Sequence, residues 1–161
     1  STLDSAKTWT KRVFTTPATI RAISTAPSSL GFCKWAVGDN GTILKSNYLD
    51  AEWVIVGSGV TDSLNSIYFQ SPELGFITGS NGVLLRTTNA GSNWLKLNTS
   101  TNQTLTCVSF ANDSTGVVVG KRGTILKTTD SGDTWQPVDF DVTNDLYGVT
   151  FCKRRVFTKV E

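Results

Sequence analysis

The sequence predicts an all-β protein, a β-propeller of four-stranded antiparallel blades with a 41-residue repeat. It amounts to about four blades, or to part of a larger propeller. Three observations carry that expectation. First, Trp53, Trp94 and Trp135 are 41 residues apart, as are Gly41, Gly82 and Gly123, Phe69, Phe110 and Phe151, Leu64, Leu105 and Leu146, and the bases Lys45, Arg86 and Lys127. A period near 40 with strand-like content marks a propeller blade. Second, each unit holds short runs rich in Val, Ile, Thr, Phe and Trp, bounded by Gly, Asn, Asp and Ser, which is strand composition. Third, no window combines helical periodicity with a start and a stop signal, so no helix is expected.

The elements follow in the same order in each unit. The repeats run over about 20–60, 64–101 and 105–142, with 1–14 and 146–161 as partial blade strands of one propeller domain or fragment, 1–161. The first strand is LNSIYF at 64–69, LTCVSF at 105–110 and LYGVTF at 146–151. The second ends in glycine, as GFITG at 75–79, GVVVG at 116–120 and AVG at 36–38. GDNG, GSNG and GKRG then join it to a third strand, and the two residues between the glycines suit a two-residue hairpin requiring positive φ. The third strand is GTILKS from 41, GVLLRT from 82 and GTILKT from 123. A turn rich in Asn, Asp and Gly leads to the tryptophan that opens the fourth strand. The step from Trp9 to Trp53 is three residues longer than the others, which predicts a longer strand or a bulge near residues 32–35. Ser66, Cys107 and Gly148 share one register with Ala22, where inner strands converge and small side chains fit. Cys107 is therefore read as a packing residue.

The turn before the last tryptophan reads TTDSGDTW over 128–135, the Asp-box pattern Ser/Thr-x-Asp-x-Gly-x-Thr-Trp. Asp130 is placed to accept backbone N–H bonds within the turn, Gly132 supplies positive φ, and Trp135 drops between adjacent sheets. The other copies degrade: one keeps Gly91 and Trp94 with Asn89 for the acid, one keeps Asp4 and Trp9 with Ala6 for the glycine, and one keeps little beyond Trp53. A structural staple tolerates such decay, because each copy contributes separately.

These residues resemble the Asp-box (BNR-type) propeller repeats. They are most similar to the photosystem II assembly and stability factor family, whose units read near G-W-A-V-G-x-x-G-T-I-L-K-T-x-D-G-G-x-T-W. The matching stretches are WAVGDNGTILKS at 35–46 and GKRGTILKTTDSGDTW at 120–135. The resemblance implies a lumenal or periplasmic propeller that binds an assembling membrane-protein subunit through a basic face. It also implies about seven blades, more than this length supplies. Either the two ends share one blade and close a four-bladed ring, or the chain is part of a larger propeller, completed by further sequence or by self-association.

Composition narrows the function. A net charge of +2 is too small to argue for nucleic acid, and no run is apolar enough to insert in a membrane. No signal peptide is visible and the chain has no Met, so it reads as a mature or trimmed form. The resemblance implies an extracytoplasmic location: secreted, periplasmic or an organelle lumen. Cys33, Cys107 and Cys152 lack metal-ligand spacing and read as packing residues, with a Cys107–Cys152 pair as the alternative. Sequons at Asn40, Asn98, Asn102 and Asn112 are about what Ser/Thr abundance produces.

The chain has no histidine, which removes the usual general base, Ser-His and Cys-His nucleophiles and His-ligated metals. A sialidase-type mechanism needs an arginine triad and a tyrosine–glutamate pair. None of Arg12, Arg21, Arg86, Arg122, Arg154 and Arg155 sits in an Arg-Ile-Pro context, and Tyr48, Tyr68 and Tyr147 have no visible partner. No enzyme, cofactor or metal is expected. The glycine-flanked turns lie between strands and offer no helix N-terminus to an anion. No Asp-x-Asp-x-Asp-Gly spacing suggests calcium.

The candidate partner-binding residues are Lys45, Arg86 and Lys127, which ring symmetry places at equivalent positions, with Lys121 and Arg122 adding charge. The plain alternative is that each base pairs locally or covers apolar surface with its stem, since duplication alone gives the 41-residue step. The leading function is a non-catalytic scaffold for a protein partner, such as an assembling membrane complex of the photosystem II kind. The alternatives are a carbohydrate-binding or glycosidase-derived (sialidase-like) module that takes a glycan, and a structural subunit of a larger assembly.

Overall fold

A computed structural model of the chain describes residues 18–28, 31–46 and 52–151. They form three four-stranded antiparallel sheets, each a meander. The first holds β1 (Ile20–Ser28), β2 (Gly31–Gly38), β3 (Ile43–Ser46) and β4 (Trp53–Val56). The second holds β5 (Leu64–Phe69), β6 (Gly75–Gly79), β7 (Leu84–Thr87) and β8 (Leu95–Lys96). The third holds β9 (Leu105–Phe110), β10 (Gly116–Gly120), β11 (Ile125–Thr128) and β12 (Gln136–Pro137). This is an all-β, partial-propeller arrangement. The first strands line up side by side, β1 against β5 and β5 against β9, as inner strands of adjacent blades do.

The turn chemistry explains the meander. Thr42 N donates to Asp39 O at 3.1 Å, Val83 N to Ser80 O at 3.0 Å and Thr124 N to Lys121 O at 3.1 Å. The central pairs have positive φ at both residues: 55° and 64° at Asn40–Gly41, 53° and 70° at Asn81–Gly82, 53° and 68° at Arg122–Gly123. These are type I′ hairpins, the form that matches strand twist. The central pair sits one residue later than the sequence suggested, because the second glycine is itself a turn residue. Each hairpin is tied to the connector that follows its own sheet, through Gly41 N to Asp62 O at 2.9 Å, Gly82 N to Gln103 O at 3.0 Å and Gly123 N to Asn144 O at 2.7 Å.

The first strands share a bulge, seen as register shifts between Ile20 and Ala22, between Leu64 and Ser66, and opposite Leu105 in β9. A bulge re-aims the side chain it carries. Asn65 Nδ2 donates to Leu105 O at 3.0 Å, and Thr106 Oγ1 donates to Leu146 O at 2.6 Å. Asn65 thus stitches one inner strand to the next, and Thr106 ties β9 to the segment that follows the third sheet. The three extra residues of the first unit lengthen the β1–β2 hairpin, whose ladder continues through Ala26↔Cys33, Pro27↔Phe32 and Ser28↔Gly31.

Two cores lie between the sheets. Trp35, Val37, Ile43, Leu64, Ile67, Ile77 and Leu85 fill the first, and Phe76, Leu84, Leu105, Val108, Phe110, Val118, Leu126 and Trp135 fill the second. At each junction an aromatic triad recurs. Trp94 packs edge-on to Trp35 at 6.1 Å and Phe69 at 6.0 Å, and Trp135 packs edge-on to Phe76 at 6.0 Å and Phe110 at 5.8 Å. T-shaped pairs of this kind add about 0.5–1.5 kcal/mol beyond area burial. Trp53 differs from its repeats. It is half-buried at the start of β4, in the first described sheet, whereas Trp94 and Trp135 each pack against an aromatic ring of the sheet before them.

Residues 146–151 do not form the expected strand. The segment runs beside β9 and is held by Leu146 N to Gly120 O at 3.0 Å and by the Thr106 bond, but no second strand pairs with it among the described residues. A ladder needs such a partner. The expected partial strand at 1–14, the turn residues Asp4 and Trp9, and the tail 152–161 with Cys152 lie outside the described residues.

Candidate functional site

The Asp-box turns have the same geometry in the second and third sheets. Thr128 Oγ1 donates to Asp130 Oδ1 at 2.7 Å and accepts from Gly132 N at 3.0 Å. Asp130 accepts from Thr134 N at 3.0 Å and from Thr134 Oγ1 at 2.6 Å. The Thr134 hydroxyl, then its N–H, then the Thr128 hydroxyl hold the Asp130 carboxyl down at about 2, from an ordinary 3.8. In the sister turn Asn89 takes the same part. It accepts from Thr87 Oγ1 at 2.9 Å and from Asn93 N at 3.0 Å, and Thr87 Oγ1 accepts from Gly91 N at 2.9 Å. A neutral amide oxygen therefore suffices for the turn.

Gly91 and Gly132 have φ of 71° and 80°. A Cβ on Gly91 would stand 2.1 Å from the Trp35 ring, and one on Gly132 2.4 Å from the Phe76 ring. Each turn is thus a seat for an aromatic ring of the preceding sheet as well as an anchor for its own tryptophan. Trp135 Nε1 donates to Gly132 O at 3.2 Å, whereas Trp94 Nε1 is buried without an acceptor.

The five candidate bases do not form one surface. Lys45 Nζ donates to Ala90 O at 3.1 Å and stands 4.9 Å from the Trp35 ring centre. Arg86 pairs with Asp133 at 2.7 Å. Both therefore reach forward into the Asp-box turn of the next sheet, and their charge is spent between sheets. Lys127, next in the series, is exposed. Lys121 and Arg122 are also exposed, but at the opposite end of β11, at a hairpin tip, so a strand's length separates them from Lys127. The local-pairing alternative thus describes Lys45 and Arg86.

Sequence reasoning missed one further cluster at the hairpin end. Asp39 accepts from Arg21 Nε and, at 2.8 Å, from Ser63 Oγ. The Arg21 hydrogen bond, then that of Ser63, lowers the Asp39 carboxyl below its ordinary value. Arg21 is the bulge residue of β1, so the register of Asn65 and Thr106 was the signal that marks it. Nearby, an open polar cleft of about 420 Å³ is lined by Asn81, Lys96, Asn98, Thr101 and Asn102 among others. Among the described residues no cluster of three or more His, Cys, Asp or Glu side chains could hold a metal ion.

Residues 87–154 match the family profile described as photosynthesis system II assembly factor YCF48. Two solved structures share the fold. One, a YCF48 bound to D1 peptide, has a TM-score of 0.66 and 23% identity over 80% of this chain. The other, YCF48 from Cyanidioschyzon merolae, has a TM-score of 0.65 and 19% identity over 78% of it. The chain spans 42% and 41% of those two proteins' lengths. No curated protein sequence matches it significantly. The family profile agrees with the BNR-type, photosystem II assembly factor-like character of the repeats it covers, and the fold neighbours agree with the propeller fold.

Proposed function

We propose that the chain is a non-catalytic propeller segment that binds a protein partner, of the kind an assembling membrane complex such as photosystem II presents, in an extracytoplasmic compartment. The family match over 87–154 and a fold neighbour that binds a D1 peptide support this reading. Among the described residues no helix is long and apolar enough to cross a membrane, a statement about helices alone.

One observation carries the site. Arg122 occupies a left-handed turn position, φ 53°, at an exposed hairpin tip. Its sisters there are Asn40 and Asn81, residues that tolerate this conformation, and the residues before them are Asp39 and Ser80 where the third hairpin has Lys121. Backbone strain retained at a surface position motivates a functional reading. Lys121 and Arg122 are therefore the proposed contacts for an acidic or carboxylate-bearing peptide, with Lys127 at the other end. Lys45 and Arg86 serve the sheet junctions.

The test is a double variant, Lys121→Ser with Arg122→Asn, which restores the GSNG sequence of the second hairpin. Binding of an immobilised D1-type peptide should weaken by about tenfold, the size of effect that losing a contact residue gives, and the residual binding should depend less on salt. Equal affinity of the two proteins would sink the assignment. The glycan alternative has only the polar cleft in its favour, and no aromatic ring lines it for a sugar to stack on.

A further inference from the structure

Asn-Gly occurs twice in the chain, at residues 40–41 and 81–82, and each pair is the centre of a type I′ hairpin. The pair is chemically labile in an open chain. The glycine nitrogen attacks the asparagine Cγ, an N–C bond forms, and the side-chain nitrogen leaves as ammonia. Water then opens the cyclic imide at either carbonyl, giving aspartate or isoaspartate. Nothing is oxidised or reduced, and glycine favours the closure because no Cβ shields its nitrogen.

We infer that Asn40 and Asn81 are latent modification sites, closed by the fold and opened when a hairpin detaches from its connector. The attacking nitrogen is occupied in both. Gly41 N–H is donated to Asp62 O at 2.9 Å and Gly82 N–H to Gln103 O at 3.0 Å. Neither glycine has room to swing, since a Cβ on Gly41 would lie 1.9 Å from Val60 O and one on Gly82 1.8 Å from Thr101 O. The nitrogen reaches Cγ only after the hairpin leaves the connector. Asn81 carries a second restraint, because its own Nδ2 donates to Asp62 Oδ1 at 2.7 Å. Asn40 therefore reacts first.

The product is not neutral for the fold. Isoaspartate inserts a methylene into the main chain at a turn whose two central residues are fixed at positive φ. The hairpin cannot reclose in the same register, and a sheet loses its tie to the next one. Modification thus records past openings and makes them permanent. The third hairpin, with Arg122 in the asparagine position, is immune.

The full chain is incubated in mildly alkaline buffer with and without urea, and conversion is read by peptide mass spectrometry and isoaspartyl methyltransferase labelling. Both sites should convert at least about tenfold more slowly in the native chain, because reaction tracks the opened fraction. Native conversion at 40 should precede that at 81. Asp62→Ala should raise the native rate at 81 and leave 40 unchanged, which separates loss of the side-chain restraint from general destabilisation. In Arg122→Asn a third site should appear, protected likewise by the Gly123 bond to Asn144 O at 2.7 Å. Equal rates with and without urea, or native conversion at 81 matching that at 40, would overturn the inference.

Discussion

Asp130 and Asn89 occupy one turn position with different charge, and the comparison fixes what the acid adds. Asn89 makes the same two turn bonds. Asp130→Asn should therefore leave the fold intact at neutral pH. The wild-type carboxyl titrates near 2 in the folded chain against an ordinary 3.8. A depressed folded pKa stabilises above the unfolded value and loses that contribution as pH falls through the folded one. Thermal melts across that acid window should thus show a shallower fall in the variant; identical slopes would show that the carboxyl adds nothing. The tryptophans make a second pair. Trp135 is 3% exposed and its N–H has an acceptor, so Trp135→Ala should cost about 3–5 kcal/mol and Trp135→Phe about 0.5–1.5 kcal/mol more than Trp94→Phe, whose N–H has none. Urea titrations of the three tryptophan variants check the order.

At the scale of the element, the hairpins and the third strands carry separable roles. Arg122→Asn alone should stabilise by about 0.5–1 kcal/mol, because asparagine accepts the left-handed turn more readily. A loss of stability would mean that the arginine side chain has a structural partner. The bases on β3, β7 and β11 are repeats in sequence but not in use. Arg86, 19% exposed, meets Asp133, which is 61% exposed, so the pair is partly screened and Arg86→Ala should cost about 1 kcal/mol. Lys127→Ala should fall within about 0.5 kcal/mol of wild type. Chemical denaturation separates the two, and equal effects would contradict the junction role of Arg86.

Across the molecule, adjacent sheets are joined by aromatic triads, by the forward-reaching bases and, between the second and third, by the bulge residue Asn65. Sheets coupled in this way should unfold together. Tryptophan fluorescence, which reports the junctions, and far-ultraviolet dichroism, which reports the strands, should give coincident transitions; separated midpoints would show that the sheets melt singly. The same division marks what was legible. Strands β5, β6, β9 and β10 fall on the residues the repeat pointed to, because strand alternation and turn glycines are local signals. The Asp-box was legible for the same reason, all its partners lying within eight residues of one another. The destination of Lys45, Arg86 and Arg21 was not, since their partners lie in turns far along the chain.

The chain's own residues determined the repeat, the meander, the turn types and the aromatic staple. What the repeat leaves open is which copies of a position are covered. Ile23, Ile67 and Val108 share a register opposite Ala36, Ile77 and Val118, yet they are 67%, 6% and 3% exposed. The three side chains are equally apolar, and burial follows from whether another sheet lies against them. Contacts between sheets connect residues about forty apart, a distance at which a linear pattern states that two positions are equivalent but not what faces them. Only the packed arrangement decides that, because burial and charge pairing belong to neighbours in space.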